Sequence, residues 1–251
     1  MFRFNENADV AIADAFGNVA DVTLAGTTTN SLTANPGWVT PPDDGAGNLT
    51  NITDAYLTAL MDVGTYEQII VAFDLWHTGA PSTAEGIIGR GNVAGSGPNY
   101  GWGLVFLTSE SLLAVNRGPG SSGQGTQAIG GTSFTGYRNR RNPILLEMLS
   151  YDETWSCNVY HDGAQIGSVA DAAYGTGGRR PAPGEFADNG MIILGRPQTA
   201  GGDKPLGDGA SGARMDNLII TSRVTRDVNL APAMADEIWK HPGEIPVSAL
   251  S

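Results

Sequence analysis

Residues 67–77 read EQIIVAFDLWH, a period-two repeat with Ile69, Val71, Phe73 and Leu75 on one side and Ile70, Ala72, Asp74 and Trp76 on the other. A wholly apolar side alternating with a mixed one predicts a strand buried on one face in a sandwich. Residues 100–107 (YGWGLVFL) alternate large side chains with glycine, break at Thr108-Ser109-Glu110-Ser111, and resume at 112–115, which predicts a hairpin. Two further apolar runs, 144–151 and 155–160, flank the polar Asp152-Glu153-Thr154. His161-Asp162-Gly163 then predicts a tight turn into a strand over 164–169, because glycine tolerates positive φ. Residues 191–194 (MIIL) and 215–221 (MDNLIIT) complete the strand set.

One helix stands out near the C-terminus. Leu230, Met234 and Ile238 recur at helical spacing, with Asn229 placed to cap the first turn, Pro232 early in it and Pro242 after its end. Gly-, Ser-, Pro- and Asn-rich segments at 89–99, 117–133, 175–190 and 197–213 read as loops. No linker separates two complete apolar sets, so one domain is expected over 1–251: opening strands and loops over 1–65, a core over 66–228, and the helix and tail over 229–251.

Composition narrows the function classes. Cys157 is the only cysteine, so no intrachain disulfide can form, and the 26 acidic against 14 basic residues give a net charge of −12. That charge repels phosphate backbones, so nucleic acid is not an expected partner. No run approaches the roughly 20 apolar residues of a membrane-spanning helix, so no membrane is expected either. The start Met1-Phe2-Arg3-Phe4 lacks the basic-then-apolar pattern of a cleaved leader.

In order, several pieces resemble the laminin-G-like, concanavalin A-like lectin domains, as also found in bacteriophage structural proteins. They are residues 66–76; Gly86-Ile87-Ile88-Gly89-Arg90-Gly91; Gly101-Trp102-Gly103-Leu104; the stretch 155–163 ending in Val159-Tyr160-His161-Asp162-Gly163; Ile192-Ile193-Leu194-Gly195-Arg196; and residues 212–220. The resemblance implies an all-β fold, a two-sheet antiparallel jelly-roll sandwich with one short C-terminal helix. The alternating patterns and long connections agree with it.

Catalytic signatures are scarce. A retaining glycosidase of the laminarinase kind needs paired carboxylates about 5–5.5 Å apart. Its relatives carry Glu-x-Asp-x-x-Glu, and no Glu here is followed two positions later by Asp. Glu147 stands alone in its run. There is no Gly-x-Ser-x-Gly elbow and no Walker loop, and the three histidines (His77, His161, His241) form no His-x-x-x-His pair. The Gly-x-Gly-x-x-Gly at 118–123 opens no helix and reads as loop composition. No enzyme activity is expected.

Two binding chemistries are left. The resemblance implies a structural calcium near the sheet edge, with Asp216 at the family's acidic position. Loop carbonyls would supply the other ligands of the six to eight calcium takes. The alternative is that Asp216 caps a loop or pairs with Arg214 or Arg223. No other cofactor is implied. For sugars, Trp76 shares a strand face with Asp74, and Trp102 sits among glycines that would leave its ring accessible. An exposed indole beside a carboxylate suits a sugar's CH face and hydroxyls. The alternative for both is core packing, which is the expected role of Trp38, Trp155 and Trp239.

The function expected from these features is a non-enzymatic bacteriophage virion protein: a capsid decoration, head-fibre or tail-adhesion subunit on the virion surface. Its partners would be other virion proteins, copies of itself in a homo-oligomer, and a host surface glycan. The competing expectation is a stand-alone, calcium-dependent carbohydrate-binding module.

Overall fold

The computed structural model of the chain describes residues 11–12, 22–25, 50–52, 59–91, 101–122, 125–129, 132–185, 192–194, 204–205 and 212–242, with 244, 246 and 248. Its strands are β1 (Ala11–Ile12), β2 (Val22–Ala25), β3 (Thr50–Ile52), β4 (Gln68–Trp76), β5 (Glu85–Gly91), β6 (Gly101–Phe106) and β7 (Leu112–Arg117). There follow β8 (Gly125–Ala128), β9 (Asn142–Ser150), β10 (Thr154–His161), β11 (Ala164–Ala173), β12 (Ile192–Leu194), β13 (Lys204–Pro205) and β14 (Arg214–Arg223), then helix α1 (Leu230–Lys240). A five-stranded sheet runs β11-β10-β9-β4-β14. A nine-stranded sheet runs β1-β2-β3-β12-β5-β6-β7-β8, with β13 alongside β5 in parallel. This is the two-sheet jelly-roll sandwich with a short C-terminal helix that the sequence predicts.

The inward side of β4 is the apolar set Ile69, Val71, Phe73 and Leu75. It meets Ile144, Leu146, Met148, Trp155, Cys157 and Val159 from its own sheet and Trp102, Leu104, Phe106, Leu112 and Ala114 from the other. The outward side of β4 is mixed for a reason. Ile70 and Ala72, with Leu145, Tyr160 and Ile219, are covered by Leu230, Ala231, Met234, Ala235 and Ile238 of α1. Asp74 and Trp76 lie on the same outward face.

Three local expectations change. β8 and β13 lie in stretches that read as loops, 117–133 and 197–213. Neither carries an apolar run, and each is recruited by backbone pairing, β8 to β7 and β13 to β5. At the helix start, Asn229 makes no side-chain cap. Asp227 Oδ1 instead accepts the Asn229 amide at 2.9 Å. The turn after β10 forms as expected, with Asp162 at φ 50 and Gly163 at φ 79, the conformation that favours Asp-Gly in two-residue hairpins. Trp76, His77 and this turn come out at one end of the sandwich, called the rim below.

Candidate functional site

The structure brings Asp74 and Asp216 together: they are directly opposed in the β4–β14 register. Two like charges so placed repel and need compensation. Arg141 Nη2 lies 2.7 Å from Asp74 Oδ1. Asn217 Nδ2 donates to Asp74 Oδ2 at 2.6 Å, and the Asn217 amide donates to Asp216 Oδ1 at 2.7 Å. Asn217 reaches both because β14 bulges between Asp216 and Ile219, with Asn217 at φ 51. The bulge also sends Leu218 into the inner core and Ile219 out under α1.

Asp74 and Asp216 are both buried. Arg223 sits at the far end of β14, opposite Gln68, away from Asp216; the Arg214 side chain lies outside the described residues. A guanidinium and an amide already engage Asp74, and loop residues 206–211, whose carbonyls would complete a calcium shell at Asp216, lie outside the described residues. Among the described residues no group of three or more His, Cys, Asp or Glu is placed to hold a metal.

The two tryptophans separate. Trp76 is half-buried beside this pair. Trp102, expected to offer an accessible ring, is fully buried in the core, and its Nε1 donates to Met61 O at 3.2 Å. The neighbouring glycines leave it no solvent because it faces inward between the sheets. Conversely Trp239, expected to be a packing residue, is 45% exposed. Trp155 is core, as expected. Trp38 lies outside the described residues.

Next to Asp74, on the rim, is a strip of side chains that the sequence reading did not single out. A Cβ on Gly163 would stand 3.1 Å from Trp239 Cδ1, so the β10–β11 turn packs against that indole. Asp162, one residue before, forms an ion pair with Arg140. The Arg140 guanidinium carbon lies 4.6 Å from the centre of the Tyr137 ring, which is 36% exposed. The strip thus runs from one part-exposed aromatic, through an Arg–Asp pair, to a second part-exposed aromatic.

Beneath it, packing fixes the geometry. His161 meets Tyr137 edge-on at 4.6 Å and Phe134 at 5.1 Å. Asn142 Nδ2 donates to Tyr137 O at 2.9 Å and Arg140 O at 3.1 Å, which orients its amide. Its Oδ1 accepts from Arg140 Nε at 3.1 Å and faces His161 Nε2 at 3.2 Å. Since an amide oxygen only accepts, the His161 proton sits on Nε2. Phe134 continues to Phe106 at 6.4 Å and on to His77 at 5.2 Å. Burial pushes both imidazoles below their ordinary range. Arg138 forks onto both oxygens of Glu110 and, chiefly by that hydrogen bonding, holds its carboxyl below the usual carboxylate range. The signal for this strip was the basic run Arg138-Asn139-Arg140-Arg141 in an acidic chain.

No protein-family model matches the sequence, and no curated protein matches it. Among solved structures, the chain is similar to a Trypanosoma rangeli sialidase in complex with 2,3-difluoro-KDN, at 14% identity and a TM-score of 0.52. That match covers 95% of this chain and 32% of the sialidase, so the chain spans about a third of that enzyme. It is also similar to the CBM40 of a Ruminococcus gnavus IT-sialidase at 12% identity, covering 74% of this chain and 92% of that one, with a TM-score of 0.45. A leech intramolecular trans-sialidase follows at 11% identity, 75% and 26% coverage, and a TM-score of 0.46. At 14% identity the likeness to the first is one of fold.

Proposed function

We propose that the chain is a non-catalytic carbohydrate-binding module that grips a saccharide along the rim strip from Trp239 to Tyr137. The observation that carries this reading is the pair of part-exposed aromatic rings joined by the Arg140–Asp162 ion pair. Aromatic faces stack on the CH surface of sugar rings, and fixed polar groups between them set orientation.

Glu147 and Asp74 support a non-catalytic role. Glu147 is buried, accepting from Gln68 Nε2 at 2.6 Å and Asn158 Nδ2 at 2.7 Å. Asp74 is buried under Arg141 and Asn217. Both carboxylates are spent on structure.

Glycan-array screening of the purified chain followed by calorimetry tests the proposal. Binding lost in both Tyr137→Ala and Trp239→Ala, with unfolding curves kept, is the expected result; binding that survives both variants removes the site.

The finer setting we infer is a virion surface, where copies of the chain would add weak glycan contacts by multivalency. It rests on the resemblance to phage structural proteins alone. Light scattering tests it: a trimer or larger assembly is expected, and a monomer at all concentrations leaves a stand-alone module.

A further inference from the structure

In each of the three arginine–carboxylate pairs at the rim among the described residues, the guanidinium is the partner nearer solvent. Arg138 is 41% exposed against 4% for Glu110, Arg140 42% against 23% for Asp162, and Arg141 24% against 1% for Asp74. Carboxylates lie beneath and cations above, so at these pairs a chain of net charge −12 turns guanidinium groups toward solvent.

The hydrogen-bonding inventory is lopsided in the same sense. Arg138 spends Nε and Nη2 on Glu110, and Arg140 spends Nε on Asn142 and Nη2 on Asp162. A guanidinium has five N–H donors, so each keeps three, two on Nη1 and one on Nη2, for which the described residues supply no partner. The acceptors are engaged or enclosed, Asp162 Oδ1 being buried away from solvent. Glu110 is forked by Arg138, Asp162 faces Arg140, and Asn142 Oδ1 faces Arg140 and His161. A neutral sugar's hydroxyls must donate as well as accept, and they would find few open acceptors here. A ligand rich in acceptors meets spare N–H groups instead, and the planar guanidinium fork matches a carboxylate.

We propose that the saccharide bound at the rim is acidic, with its carboxylate taken by Arg140 and assisted by Arg138 while its ring packs against the exposed part of Tyr137 beside them. This rests on the carbohydrate-binding reading and adds the ligand class. Net charge alone would favour the opposite choice, because at long range the chain repels polyanions. A preference for the acid therefore has to come from short-range contacts at these arginines.

The test uses the full chain and a matched pair of probes: an oligogalacturonate and the same oligosaccharide with its carboxyl groups reduced to alcohols. Calorimetry is expected to show the acidic form binding about tenfold or more tightly, as one charge-assisted hydrogen bond would give. Arg140→Gln is expected to erase most of that preference. Tyr137→Ala is expected to weaken whichever form binds. Arg140→Lys keeps a cation beside Asp162, so it serves if the Gln variant does not fold; loss of the fork is expected to cut the preference severalfold. Equal or tighter binding of the reduced form overturns the acidic class and leaves the carbohydrate reading intact. So does a folded Arg140→Gln protein with its preference unchanged. Binding of neither form, with no hit on the glycan array, overturns both.

Discussion

Trp102 and Trp239 exchange the roles that their sequence surroundings suggest. Glycines beside Trp102 imply space, yet the ring faces inward and is fully buried. Trp239 falls on a helix among apolar residues, yet it extends past the apolar stripe to lean on Gly163. Trp102→Ala is therefore expected to cost about 3–5 kcal/mol in urea unfolding. Trp239→Ala is expected to cost no more than about 1 kcal/mol and to abolish detectable glycan binding. Gly163→Ala combines a left-handed backbone at φ 79 with a Cβ pressed on that indole. It should destabilise the protein by roughly 1–3 kcal/mol and weaken binding in the same preparation. At this scale residue type was a poor guide, because exposure depends on which way a strand faces.

At the scale of elements, α1 was legible and its docking was not. Its spacing of Leu230, Met234 and Ile238 predicts a helix with one apolar stripe. Only the register shows that Ile70, Ala72, Leu145, Tyr160 and Ile219 form the surface that receives it. Glu147, which stands alone in the sequence, helps fasten that helix. Gln68 donates to Glu147 and, from the same amide nitrogen, to Asp227 O at 2.9 Å, while Gln68 Oε1 accepts the Asp227 amide at 3.0 Å. Those bonds tie the segment between β14 and α1 to the sheet. Gln68→Ala leaves a buried carboxylate short of a donor, so a loss of about 1–3 kcal/mol is expected. Hydrogen exchange should show faster opening of α1 than of β9; equal protection in the variant and the parent would refute the anchoring role.

For the whole molecule, acid should act at the rim first. His77 and His161 are buried with their pKa values lowered, so the unfolded chain takes up protons before the folded one does. Their contribution is complete above the ordinary imidazole value of 6.5 and is lost as pH falls from there toward the lowered folded values. Glu110 is also lowered, and its contribution is complete above the ordinary 4.5 and fades below it. Melting temperature should thus decline in two stages on acidification, and His77→Phe or His161→Phe should flatten the first. A melting temperature that is level from pH 7 to 5 would refute this. Assembly mass in light scattering should be unchanged by EDTA, since Arg141 and Asn217 already compensate the Asp74–Asp216 pair; a fall in mass on chelation would point instead to calcium at Asp216.

The sequence alone determined the all-β sandwich, the main strands and the single C-terminal helix. Period-two alternation and turn chemistry are local, and local order carries them. It also placed Asp74, Trp76 and Asp216 as residues of interest, though for separate reasons. Tertiary structure decided that Asp74 and Asp216 oppose each other across a bulge, that Trp102 is core and that Trp239 is not. It also set Tyr137, Arg140, Asp162 and Trp239 side by side. Those four come from the 132–141 segment, the β10–β11 turn and the end of α1. Contacts between segments so far apart along the chain depend on sheet register and helix docking, which no local pattern encodes.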